Sequence, residues 1–283
     1  NELHGSAQGD RLLIYIANTI KALVGDRGLC GRLNADKFAV LIPHGERRIV
    51  TSEATLEEFY QGAPVRPVEF KIGVYENADR SLPISTMCDR AGMAIHAIKR
   101  RYGHSIAIYD DTLRRAVMRE HTLQDSMKPA LAEKQFVVYL QPKHQVKTGD
   151  IAGAEALVRW NHPELGFVSP GEFIPLFEQN GFITRLDAFV WEESCRVLRD
   201  WRESGRTLIP ISVNVSRIDL IQPNLCDELT ALTGKYGVPP AMLHLEVTES
   251  AYTNNPQQII GTVAALRSYG FNIEMDDFGS GYS

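Results

Sequence analysis

From Phe136 onward the sequence repeats one pattern. The strand-like segments FVVYLQP, AEALVRW, IPISVNVS, LHLEVTES and FNIEMDD alternate with helical stretches near residues 171–180, 186–204, 223–236 and 256–269. Parallel neighbouring strands need a crossover connection, usually a helix, so this alternation predicts parallel βα units. Residues 135–283 are therefore expected to form an α/β domain of the βα-barrel kind.

The preceding residues follow a different rule. Residues 10–24, DRLLIYIANTIKALV, have apolar residues at helical spacing, with Asp10 as the expected N-cap. CGRLNADKFAVLIP reads as two short strands around a turn at Asn34 and Ala35. A helix over 51–62, a strand over 65–75, a helix over 84–102 and a strand HSIAIYD follow. Residues 1–110 thus read as an α+β domain, and 111–134 as a mixed-charge helix joining it to the second half. The chain starts within a helix-leading loop and stops after DDFGSGYS, so it is expected to be a fragment of a longer protein.

Charge and cysteine content exclude several classes. A net charge of −5 leaves no basic footprint for a DNA or RNA duplex, although one site can still attract a small anion. Cys30, Cys88, Cys195 and Cys226 form no CxxC pair, which argues against a zinc site or a disulfide framework and suits a reducing cytoplasm. No apolar run is long enough to span a bilayer and no signal-peptide pattern opens the chain; a membrane anchor upstream in the parent protein stays open.

Within the second half, oxygen-bearing side chains recur near strand ends: Glu155, Asn214, Glu246, Glu249, and the adjacent pair Asp276 and Asp277. Functional groups of βα barrels gather at the C-terminal ends of the strands. Hard cations such as Mg²⁺ or Mn²⁺ take such ligands, and Ca²⁺ competes for them. Two neighbouring aspartates on an apolar strand repel each other unless cations neutralise them. Two ions roughly 3.5–4 Å apart are a standard device for phosphodiester cleavage. A lone glutamate at a strand end is more often solvated or salt-bridged, so the weight lies on the set. His162 and His244 read as structural or surface residues, Trp160 and Phe173 as core. Arg159 reads as a phosphate clamp or a surface ion pair, and KRRYGH over 99–104 as a solvated helix end.

AEALVRW, FIPLFEQNG, NVS, LEVTES and DDFGSGYS, in that order, resemble the EAL family of cyclic-di-GMP phosphodiesterases from about Leu113 to Ser283. The resemblance implies a TIM-like barrel, incomplete here at its C-terminal end, that hydrolyses cyclic di-GMP to linear pGpG with Mg²⁺ or Mn²⁺ and is inhibited by Ca²⁺. By motif match Glu155, Asn214, Glu246 and Asp276 would ligate metal, and Asp277 would hold a second ion or its water. Glu249 would steady the following loop; Gln141, Leu157 and Arg159 would contact the dinucleotide. A homodimer through this domain is also implied. The family's later Lys, Glu and Gln lie beyond Ser283, so the fragment alone is expected to be inactive.

Residues Asn1 to about Asp110 resemble the GGDEF family of diguanylate cyclases. NELHGSAQGDRLL places Asn1 and Asp10 at the guanine-holding positions, and IKRRYG places Lys99 on the phosphate side. The namesake motif reads Asn34, Ala35, Asp36, Lys37, Phe38. Lys37 replaces a metal-binding Glu, and Asn34 and Ala35 replace glycines that let backbone approach a triphosphate. The RxxD inhibition motif is missing, because positions 25–28 read Gly-Asp-Arg-Gly. The expectation is a cyclase-inactive, regulatory domain in a bacterial second-messenger protein, with GTP binding left open. The alternative reading of the whole is a receptor that binds cyclic di-GMP without cleaving it.

Overall fold

The computed structural model describes residues 6–99, 103, 105–249, 251 and 256–276. The chain divides into two compact units, Asn1–Arg119 and Glu120–Ser283. Among the described residues no helix is long and apolar enough to cross a membrane.

The first unit begins with α1 (Ser6–Val24), followed by the antiparallel pair β1 (Leu29–Asn34) and β2 (Lys37–Leu41). Asn34 pairs with Lys37, so Ala35 and Asp36 form the turn. Ala35 takes φ 39°, and Arg32 Nε donates to its carbonyl at 2.8 Å. Next come α2 (Arg48–Thr51), α3 (Glu53–Gly62), β3 (Ile72–Val74), α4 (Ile84–Ile98) and β4 (Ile106–Ile108). Ser52 caps α3 by accepting from Thr55 N at 3.2 Å. β3 and β4 pair in parallel, and α4 packs on both. A Cβ on Gly73 would sit 1.9 Å from the Ala91 carbonyl oxygen, so this close helix–strand approach requires glycine.

Three expectations are corrected here. Asp10 lies inside α1 rather than at its cap, because the helix already runs from Ser6. The strand expected over 65–75 shortens to Ile72–Val74; Pro64 and Pro67 supply no N–H for a ladder. The helix expected over 84–102 ends at Ile98, and residues 100–102 and 104 lie outside the described set.

α5 (Asp111–Ala132) leads into the second unit, where β5 (Phe136–His144), β6 (Ile151–His162) and β7 (Gly166–Val168) precede α6 (Pro170–Asn180) and α7 (Ile183–Glu203). Then follow β8 (Ile211–Asn214), α8 (Arg217–Leu220), α9 (Leu225–Tyr236), β9 (Leu243–Thr248), α10 (Pro256–Ser268) and β10 (Asn272–Asp276). The sheet order is β10-β9-β8-β6-β5, with β7 on β6. β6, β8, β9 and β10 are parallel, as the alternation predicts. β5 departs from it and runs antiparallel to β6. Residues 145–150 are too few for a helical crossover and form a hairpin connection instead.

Strand side chains alternate between two faces. One face carries Ala156, Val158, Trp160, Ile211, Val213, Leu243, Leu245 and Val247, all in the buried core with the α7 residues Leu186, Val190, Trp191 and Leu198. Phe136, Trp160, Phe173 and Phe177 form an aromatic cluster, with Phe136 and Trp160 centroids 5.0 Å apart and Trp160 and Phe173 edge to face at 5.6 Å. Each such fully buried ring contributes roughly 1.5–3 kcal/mol by leaving water. Trp160 Nε1 is satisfied by Gln135 Oε1 at 2.9 Å. Trp160 and Phe173 are therefore core, as read from the sequence. His162 is buried too: its ring meets Ser126 Oγ at 3.0 Å and accepts from the amides of Glu164 and Leu165.

Candidate functional site at the polar face of the parallel sheet

The opposite face of the same strands is polar. Period-two alternation places Gln141 and Lys143 of β5 on it, with Glu155, Leu157 and Arg159 of β6. Ser212 and Asn214 of β8, His244 and Glu246 of β9, and Glu274 and Asp276 of β10 continue it. Register ties these positions together. Glu155 stands opposite Gln141 on one side and Ser212 on the other. Asn214 stands opposite Glu246, and Glu246 opposite Glu274. Asn214 and Asp276 are the last residues of their strands, so both stand at the C-terminal edge of the sheet.

Glu246 is the electrostatic centre. It is 6% exposed, and its Oε2 is buried without a hydrogen-bond partner among the described residues. Its Oε1 accepts from Lys143 Nζ. Burial pushes its pKa up; Lys143 pulls it down, while the neighbouring charges of Glu155 and Asp276 push it up again. The three carboxylates expected to share an ion thus sense one another.

Below Glu246 lies a second tier. Lys143 Nζ donates to Ser212 Oγ at 2.7 Å and to Glu274 Oε2 at 2.7 Å, as well as to Glu246. Ser212 Oγ also donates to Glu274 Oε2 at 2.9 Å. His244 Nδ1 lies 2.5 Å from Glu274 Oε1, and its Nε2 lies 3.0 Å from the Asn272 amide nitrogen. Read as a network, the amide donates to Nε2 and Nδ1–H donates to the carboxylate. Burial works to raise the Glu274 pKa, but hydrogen bonds from Lys143, His244 and Ser212 outweigh it and bring the carboxyl to about 2. Burial likewise works against the Lys143 charge, and its bonds to Glu246 and Glu274 raise its pKa nonetheless.

The edge is braced from behind. Trp191 Nε1 of α7 donates to the Asn214 carbonyl at 3.0 Å, and Val215 N donates to the Glu246 carbonyl at 3.0 Å. Ser216 N donates to Asp187 Oδ2 at 3.2 Å, so the turn after β8 is fixed to α7.

Gln141, Leu157 and Arg159 lie along the same face. The Arg159 guanidinium donates to the Val158 carbonyl at 2.9 Å and sits 5.9 Å from the centroid of the exposed Tyr139 ring. Glu249 directly follows β9. Asp277 lies outside the described residues, as does Asn1. Among the described residues no three His, Cys, Asp or Glu side chains converge closely enough to enclose an ion. In the first unit Asn34, Ala35, Asp36 and Lys37 are exposed in the β1–β2 hairpin and Phe38 is half-buried; Asp10 lies on α1 and Lys99 follows α4.

Sequence reasoning missed Lys143, Ser212 and Glu274, and read His244 as structural or surface. Each stands two residues along its strand from an expected site residue: Gln141, Asn214, Asp276 and Glu246 respectively. That spacing was the available signal, since it places both members of each pair on one face.

Comparison with known proteins gives a consistent picture. The model described as "EAL domain" matches residues 124–283, and that described as "Diguanylate cyclase, GGDEF domain" matches residues 1–105. The chain is 30% identical, over its full length, to the "Bifunctional diguanylate cyclase/cyclic di-GMP phosphodiesterase MucR" of Pseudomonas aeruginosa, covering 42% of that protein. It is 28% identical to the "Cyclic di-GMP phosphodiesterase NbdA" of the same organism, covering 37%. It therefore spans less than half the length of these relatives. A solved structure, "PaMucR Phosphodiesterase, c-di-GMP complex", superposes with a TM-score of 0.55 at 35% identity, over 57% of this chain and 66% of that one. The EAL enzyme Bd1971 superposes with a TM-score of 0.55 at 20% identity over 87% of this chain and 57% of that one, a likeness of fold.

Proposed function

The chain belongs to the EAL family and carries a GGDEF domain ahead of its EAL domain, and from that premise we propose that the parent protein hydrolyses cyclic di-GMP to pGpG at the polar face of the second unit. The observation that carries the proposal is the placement of Glu155, Asn214, Glu246 and Asp276 on one face of adjacent strands, with Glu246 Oε2 buried and lacking a hydrogen-bond partner among the described residues.

These residues fit a divalent cation. An all-oxygen donor set suits Mg²⁺ or Mn²⁺. The unpartnered Glu246 oxygen, beside the like charges of Glu155 and Asp276, leaves a need that a cation meets. In this reading Glu155, Asn214, Glu246 and Asp276 would hold the ions from one face of four adjacent strands, and Asp277 would complete a two-ion set. Bound there, divalent ions supply Lewis acidity toward water and the scissile phosphate. Ca²⁺, larger and less demanding in geometry, occupies the same oxygens and inhibits.

The protein's own groups then position the substrate. Gln141 and Leu157 line the approach beside Glu155, and the Arg159 guanidinium is suited to hold a phosphate oxygen. Glu249 steadies the loop that follows Asp277. In the first unit, Lys37 stands where a metal-binding carboxylate would be needed, so we assign that unit a regulatory role without cyclase chemistry, with GTP as its candidate ligand. The test is pGpG release by the intact protein with Mg²⁺ or Mn²⁺, abolished by Glu155→Ala. Absence of hydrolysis with either ion overturns the assignment.

A further inference from the structure

Lys143 has no role in the reading above, yet its ammonium is fully engaged. It carries three N–H donors, and these go to Ser212 Oγ, Glu274 Oε2 and Glu246 Oε1. The first two partners belong to the lower tier and the third is an expected ion ligand. Glu274 is itself pinned at its other oxygen by His244, which is held in turn by Asn272. The ammonium therefore stands at a point fixed by β8, β9 and β10 at once.

That fixed point determines where Glu246 presents its free oxygen. The two oxygens of a carboxylate diverge, so holding Oε1 from the Lys143 side turns Oε2 away from it. Oε2 is the atom that is buried and has no hydrogen-bond partner among the described residues. Lys143 also offsets the like charges of Glu155 and Asp276 that act on Glu246.

We propose that Lys143 is a positioning residue for the divalent-ion site: it holds Glu246 by one oxygen, from a seat built by Ser212 and Glu274, so that the other oxygen is pre-aimed at the ion. This inference rests on the ion-binding reading given above. Partners that orient metal ligands are typically worth about 10–100-fold in metal affinity. Their role is distinct from that of a ligand, whose removal abolishes the site.

The test is Mn²⁺ affinity of the intact protein, measured by titration calorimetry at a temperature where each variant is folded. Lys143→Met, which keeps the stem and removes the charge, is expected to weaken Mn²⁺ binding about 10–100-fold. Glu274→Gln, which loosens the seat and leaves Lys143 in place, is expected to weaken it severalfold, and it decides the matter if Lys143→Met does not fold. Wild-type affinity in both variants, with only a lowered unfolding temperature, would make Lys143 a purely structural cation and overturn the inference. Tighter binding in Lys143→Met would make it a competitor of the ion and equally overturn it. Wild-type protein that binds no Mn²⁺ overturns the ion-binding reading itself, and the inference with it.

Discussion

Lys143 and Glu274 are 131 residues apart in sequence, lie on the two edge strands of the sheet, and meet at 2.7 Å. The contact shows that the sheet curls: among the described residues β5 and β10 have no ladder between them, yet their side chains touch across the polar face. The two strands furthest apart in the hydrogen-bonded order are joined by charge, through a lysine that also meets the strand beside β10.

That contact gives the protein an acid-sensitive limb. Glu274 titrates at about 2 in the folded protein, against an ordinary value of 4.5. A lowered folded pKa contributes stability that is present above 4.5 and is lost as pH falls toward 2. Glu274→Gln is expected to flatten this part of the stability curve, measured as urea midpoints from pH 5 to pH 2 in the presence of a chelator. An unchanged slope would contradict the assignment.

Asp187 predicts the opposite sign. Burial, followed by its hydrogen bond with and the charge of Asp219, holds its pKa well above 3.8. The protonated form is favoured by folding, so its contribution is present below 3.8 and is lost as pH rises through the folded value. Asp187→Asn keeps the shape and an oxygen for Ser216 N, and removes the charge. It is expected to raise stability at pH 7 relative to pH 4, read from thermal unfolding at the two pH values.

Trp191 braces the end of β8. Trp191→Phe keeps most of the buried ring and deletes the bond to the Asn214 carbonyl. The expected cost is about 0.5–1.5 kcal/mol, the usual net worth of one hydrogen bond, since this one is only part-buried. On the proposed activity, turnover by the intact protein is expected to fall as well, because this bond fixes the end of β8 at Asn214. Urea denaturation and pGpG release report the two effects separately.

Gly73 tests the first unit alone. An alanine side chain there would collide with the Ala91 backbone, which cannot swing aside as a flexible side chain does. Gly73→Ala is expected to cost about 1–3 kcal/mol through overpacking. Because Gly73 belongs to the first unit, the loss should appear in the unfolding of that unit while the second unit keeps its midpoint. Calorimetry with resolved transitions distinguishes this from a global loss.

The sequence made the second unit legible where residue type and strand position agreed. Glu155, Asn214, Glu246 and Asp276 are oxygen-bearing residues on successive parallel strands, and the structure places them on one face. Trp160 and Phe173 were legible as core because large aromatics leave water at any opportunity. The Lys143 tier was not, since a polar residue two positions from another is what a solvated strand face also shows. Only the register, which sets Glu246 against Glu274 and Ser212 against His244, turns those positions into a network. Asp10 misled because a capping residue type carries no information about a helix that has already begun upstream. The antiparallel course of β5 was hidden for another reason: its connection to β6 is set by length, which the strand–helix rhythm of the later segments obscured.

The hairpin between β5 and β6 bears on the order of assembly. Hairpins form in roughly 1–10 μs, and the six-residue connection 145–150 is far shorter in sequence than the helix-bearing crossovers between the later strands. Gln141 and Lys143 are thereby delivered beside the Glu155 strand by local chain closure. The later strands, carrying Asn214, Glu246 and Asp276, pair across longer stretches of chain, so the β5–β6 wall of the site is expected to form before the other.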